Sequence, residues 1–215
     1  RKVSIYNEGA LLAFLADVAI VKGSGHEHGL HSAMRKLYEQ FAKQGKGFTE
    51  SDYRNVIAEF AGEDLQTLFD DLIYGRESYQ PHLKMALGEI GLELKVTHTS
   101  RIDERDFGFG SMADDNGVEV VRLIMPGSPA DVQGLKHGDA IKAINKCIVG
   151  KHYQQWLRYF NDESVTFTVE RQGQLVDVDI QRNENHYFDL YRAIPLTRPD
   201  EDQQAAWKAW KRETV

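Results

Sequence analysis

The chain has one cysteine, Cys147, in 215 residues, so it can form no internal disulfide and offers no cysteine-based zinc site. That lone side chain reads as a small, half-buried apolar residue rather than a reactive thiol. Long apolar runs are missing as well. The longest, residues 10–21, is interrupted by Asp17 and falls short of the roughly 18 residues that a spanning helix needs. No signal peptide is visible, and the first residue is Arg1 rather than Met, inside what reads as the approach to a helix. A fragment or processed product is expected, so the missing signal leaves periplasmic and cytoplasmic locations both open. A concentrated basic face is also lacking: 26 Lys and Arg stand against 33 Asp and Glu, a formal charge of -7. Phosphate binding needs clustered positive charge, which disfavours nucleic acid as a partner. With 41% apolar and 27% charged residues, what remains has the make-up of a soluble globular protein of one large or two small domains.

The first part of the chain has a helical period. Leu11, Phe14, Leu15, Val18 and Ala19 share one face, and Gly23-Ser24-Gly25 ends the run. Leu30, Met34, Leu37, Tyr38 and Phe41 mark a second helix. Thr49-Glu50-Ser51-Asp52 has the form of a capping box, with Asp in place of the usual Glu or Gln, and opens a third helix. Asp64 can cap a fourth carrying Leu65, Leu68, Phe69 and Leu72, and residues 81–89 form a fifth. Short loops between them predict an antiparallel helical array. From residue 91 the period changes to that of strands, at 91–96, 118–121, 140–144, 165–169 and 175–180. Gln172-Gly173 makes a hairpin turn between the last two, and residues 152–160 form the one intervening helix. The final segment has Pro195 and Pro199, then a short helix bearing Trp207 and Trp210.

Two motifs carry chemical information. The first is Pro126-Gly127-Ser128-Pro129-Ala130 followed by Gly134-Leu135-Lys136-His137-Gly138-Asp139-Ala140-Ile141-Lys142-Ala143-Ile144-Asn145. Ser128-Pro129-Ala130 starts a short helix, with Pro where no N–H is needed. Gly134 ends it in a left-handed conformation over Leu135. Gly138-Asp139 forms a tight turn that delivers Ile141 and Ile144 to the core. The run resembles the motif of bacterial-type PDZ domains. In that family the motif is structural, and a peptide binds elsewhere: its carboxylate meets a loop of backbone N–H groups, and it adds as a strand to an exposed sheet edge beside a helix. The resemblance implies that loop at Phe107-Gly108-Phe109-Gly110, which otherwise reads as a glycine-rich start of a strand. Tyr153, Trp156, Leu157 and Phe160 would supply the groove wall and the core beneath it. Lys146 stands where many members have Gly, so the turn after it should differ.

The second motif is Tyr6-Asn7-Glu8-Gly9-Ala10-Leu11-Leu12. It resembles the Tyr-x-x-Gly-Ala-Leu segment of gluzincin zinc aminopeptidases, and more closely their glycyl aminopeptidase family, whose members continue into a helical domain and a PDZ domain. By itself Tyr6 reads as a packing aromatic at a helix entrance. The resemblance implies instead that its hydroxyl hydrogen-bonds the oxyanion of a tetrahedral intermediate, with Glu8 and Gly9 beside the substrate cleft. Such enzymes bind zinc through His-Glu-x-x-His and a later Glu. His26-Glu27-His28-Gly29-Leu30 lacks the second His, and glycines at 25 and 29 argue against a helix there. Zinc is therefore expected in the full-length parent and not in this chain, which alone should be inactive.

The expectation is an α+β protein: a helical domain over 1–98, the C-terminal part of a gluzincin peptidase domain, then a PDZ-like β-barrel domain over 99–183 and a tail with a short helix over 184–215. Its partners would be an upstream catalytic domain of the same polypeptide and a protein C-terminus or extended peptide at the PDZ groove. A non-catalytic PDZ adaptor with a helical docking domain is the alternative. A serine-protease fragment is disfavoured by the absence of Gly-x-Ser-x-Gly.

Overall fold

The computed structural model describes residues 5–62, 65–160 and 162–212. The chain divides into a helical unit, Arg1–Lys95 with Arg192–Val215, and a sheet unit, Val96–Tyr191. Mixed helix and sheet is the observed class.

Helix α1 (Ile5–Gly23) is central to the helical unit because it is buried on two faces. Ala16 and Ile20, one turn apart, pack with Ala33 and Leu37 of α2 (Leu30–Gln40) and with Val56, Ile57 and Ala61 of α3 (Glu50–Ala61). Past α4 (Gln66–Phe69) and a π turn over Asp70–Tyr74, α5 (Tyr79–Glu89) covers the other face. There Val18 and Val21 meet Leu87, Ile90 and Ala206, the last from a C-terminal helix, Glu201–Lys211. A helix covered on two sides is apolar round most of its girth, which explains the long run in its sequence. Asp17, the charge within that run, accepts the Leu30 N–H at 2.6 Å and so satisfies an otherwise orphaned donor at the start of α2. Gly23 is set so close to α3 that a side chain there would overlap the Ala61 carbonyl. The capping box on α3 is present, with Asp52 accepting the Thr49 N–H at 2.8 Å and its own N–H reaching Thr49 Oγ1 at 3.2 Å. Asp64, the expected cap of the fourth helix, lies outside the described residues.

Strand β1 (Leu92–His98) pairs with a late strand, Asp189–Pro195, the two segments along which the chain passes between the units. The sheet unit then holds β2 (Phe109–Ala113), β3 (Glu119–Ile124), α6 (Pro129–Val132), β4 (Ala140–Ile144), β5 (Cys147–Ile148), α7 (Tyr153–Tyr159), β6 (Ser164–Arg171) and β7 (Gln174–Gln181). The order is β2-β3-β4-β6-β7, antiparallel throughout, with β5 also on β4. Among the described residues β2 and β7 end the path and do not pair with each other, so the sheet is open and the expected barrel does not close. Gln172 and Gly173 both have positive φ, +52° and +79°, the form of two-residue turn that matches strand twist. Phe107, Phe109 and Phe167 are fully buried, with Phe167 edge-on to the other two at centroid distances of 5.3 and 5.5 Å. Each such ring contributes about 2–3 kcal/mol by burial, and edge contacts add about 1 kcal/mol.

Lys146 lies in the turn between β4 and β5. Asn145 and Lys146 adopt the left-handed backbone that a glycine would, at φ +48° and +65°. A lysine there carries about 1 kcal/mol of strain.

Candidate functional site

The Gly-Ser-Pro-Ala run and the Phe-Gly-Phe-Gly run interlock. Ser128 is fully buried, caps α6 through its hydroxyl, and donates to the Gly108 carbonyl at 3.2 Å. The same carbonyl accepts the Met125 N–H at 2.8 Å. Gly108 has φ +75°, and a side chain there would overlap Ser128 Cβ. The Asp of the Gly-Asp turn is buried too. Asp139 accepts the Lys136 N–H at 2.8 Å and a two-pronged contact from Arg171 at 2.8 and 2.6 Å. Arg171 also donates to the Gly134 carbonyl at 2.9 Å. The long motif is thereby tied to β6 at one end and to the Gly108 turn at the other.

The structure sorts the expected groove residues into two sets. Phe107, Phe109, Tyr153 and Leu157 are core side chains, each no more than 1% exposed. Burial, and next the Asp103 charge, pushes the Tyr153 phenol well above its ordinary value. Trp156 and Phe160 are half-buried, stacked on each other at 5.7 Å with an interplanar angle of 16°. They are the members of the set with surface to offer. Gly108 and Gly110 are buried, and the Gly108 N–H is already donated to the Asp103 carbonyl.

Residues that the sequence reading passed over dominate the space between β2 and α7. Asp103 is fully buried although it stands in Arg101-Ile102-Asp103-Glu104-Arg105-Asp106, which reads as a solvated charge run. Its carboxylate receives Arg101 at 2.7 Å and Gln154 of α7 at 2.7 Å, with the Ser111 hydroxyl of β2 at 2.9 Å. Beside this network Asp106 is gripped by Arg105 at 2.6 and 2.9 Å, with His186 at 3.7 Å and Arg182 at 3.9 Å. No sequence period announces either cluster.

In the helical unit, Tyr6 stands on the first turn of α1 and is 84% exposed. Glu8 is half-buried, and Gly9 is exposed with open space where a side chain would stand. His26 lies 3.3 Å from Asp202, while the His28 ring packs edge-on to Phe60. Among the described residues no three His, Cys, Asp or Glu side chains converge as a metal ion requires. No described helix is long and apolar enough to cross a membrane.

An aminopeptidase N family protein from Idiomarina loihiensis matches over 95% of this chain with a TM-score of 0.77 at 22% identity. At that identity the likeness is one of fold. This chain spans 36% of that protein's length. The HtrA3 PDZ domain bound to a phage-derived ligand aligns with 47% of this chain and 86% of its own at 17% identity. The PDZ domain of EpsC from Vibrio cholerae aligns with 38% of this chain and 81% of its own at 22% identity. Both have a TM-score of 0.29, at which likeness of fold is not established. No family model and no curated protein matches the chain.

Proposed function

We propose that this chain is the C-terminal part of a zinc-dependent aminopeptidase of the glycyl aminopeptidase type. In that reading the helical unit presents Tyr6 to the reaction, and the sheet unit holds an extended peptide along β2 in the manner of a PDZ domain. The observation that carries it is the first two turns of α1. Ile5 and Tyr6 are 75% and 84% exposed, and Gly9, one turn on, leaves the surface beside them bare. A mid-helix glycine costs about 1 kcal/mol relative to alanine. No described atom lies close enough to require one here. A surface that no described residue obstructs in this way suits close approach by another part of a longer polypeptide. The fold match to an aminopeptidase N family protein, running through both units, supports the same assignment.

Tyr6 would act as a neutral donor. A phenol gives one directed hydrogen bond to an oxyanion without bringing a charge into the ground state, and one such donor is worth about 10²–10³ in kcat. Zinc is assigned to a part of the polypeptide outside this sequence.

Steady-state hydrolysis of aminoacyl anilides by the longer polypeptide tests the assignment. Tyr6→Phe should lower kcat about 10²–10³-fold with KM nearly unchanged. Wild-type kcat in that variant would remove Tyr6 from the reaction. A longer polypeptide with no aminopeptidase activity would favour the adaptor reading.

A further inference from the structure

We propose that residues 101–104 are an internal occupant of the groove between β2 and α7, and that an extended peptide takes the β2 edge only when this turn withdraws. The inference rests on the reading of the sheet unit as a peptide-capturing module and adds its control. Strand β2 has β3 on one side and no strand on the other among the described residues. An incoming strand would bond to that second side through alternate N–H and C=O groups. The chain itself stands there. Arg101 Nη2 donates to the Ser111 carbonyl of β2 at 3.1 Å and lies 2.9 Å from its hydroxyl. Glu104 lies over Gly110, near enough that a side chain there would meet its carboxylate at 3.7 Å. On the opposite side, the Ile102 N–H donates to Gln154 Oε1 of α7 at 3.3 Å, and Gln154 Nε2 returns a bond to Asp103 at 2.7 Å. The turn is therefore bonded to both walls, as a bound peptide would be.

Two further contacts complete the likeness to a bound ligand. The Ile102 side chain is 7% exposed and enters the same core as Phe107, Tyr153 and Leu157. The Gly108 N–H, which a peptide carboxylate would seek, is donated to the Asp103 carbonyl. The hold consists of one apolar side chain and a set of polar bonds that centre on the fully buried Asp103 and the 35% exposed Arg101, and withdrawal of the turn would give both charges to water.

An internal occupant lowers apparent affinity by the fraction of molecules in which it has withdrawn. If that fraction is about 1–10%, binding is weakened about 10–100-fold. The experiment titrates the full chain with a fluorescent library of peptides ending in a free carboxylate. Wild type is compared with Arg101→Ala/Gln154→Ala and with Ile102→Ala, each checked for folding by circular dichroism. Both variants should bind at least tenfold more tightly. In wild type, saturating peptide should speed hydrogen exchange at residues 102–105, a readout that needs no variant. Equal affinity in all three chains, with exchange at 102–105 unchanged, would overturn the internal occupant and leave peptide capture standing. No binding by any folded chain would overturn peptide capture, and the internal occupant with it.

Discussion

Gly108 and Gly127 offer a matched pair of substitutions. Both have left-handed backbones, at φ +75° and +76°. An alanine at either position carries about 1 kcal/mol of strain from that conformation. The two differ in the space around them. At Gly127 no atom lies within 4 Å of where a side chain would begin. At Gly108 the new methyl would overlap Ser128 Cβ and stand 2.7 Å from its Oγ. Ser128 cannot turn aside, because it is fully buried and its hydroxyl both caps α6 and bonds the Gly108 carbonyl. Forced overpacking of this kind costs about 1–3 kcal/mol. Gly127→Ala should therefore destabilise the sheet unit by about 1 kcal/mol and Gly108→Ala by about 2–4 kcal/mol. Native-state hydrogen exchange in rising urea, read on peptides from β4 and β6, gives the opening free energies. Equal losses for the two substitutions would refute the interlock between the Gly108 turn and Ser128.

Arg171→Ala should destabilise the sheet unit by about 2–3 kcal/mol, below the range for fully buried pairs because Arg171 is 23% exposed; Asp139→Asn in the same chain should recover part of the loss in urea melts. Lys146→Gly should stabilise by about 1 kcal/mol by relieving the left-handed lysine, and no gain in melting temperature would contradict that strain. Asp52 and Asp114 are held below the usual carboxylate range, Asp52 by the Thr49 N–H and then its hydroxyl, Asp114 first by the Val118 N–H. For a depressed carboxyl the unfolded state binds the proton first as pH falls. The stabilisation is thus complete above about pH 4 and lost as pH drops through the folded-state values. Thermal melts from pH 6 down to 2 should show that loss, and Asp52→Asn should flatten it.

Much of this architecture was legible because it depends on local rules. The capping box at Thr49 and Asp52, the turn at Gln172 and Gly173, and Pro129 at the first position of α6 are each written in a few adjacent residues. The charge run around Asp103 was not legible, because its burial depends on Gln154 and Ser111 arriving from distant elements. Phe107, Phe109, Tyr153 and Leu157 were visible as a cluster worth watching, but alternation and period alone could not separate core from groove wall. The backbone at Lys146 was hidden for a related reason. The pairing of β4 with β5 on either side imposes a backbone that lysine would not choose. Docking of the C-terminal helix through Ala206 against Val18 and Val21 is likewise a long-range fact that no local signal carries.

The claim that the sheet unit takes a peptide along β2 is tested most directly by locating a bound peptide on the chain. The Arg101→Ala/Gln154→Ala variant, saturated with its best peptide, can be compared with the free variant by hydrogen exchange resolved to single amides. Slower exchange should appear at residues 109–113 and not along β7, the other open end of the sheet. Protection along β7 instead, or at neither strand, would contradict it.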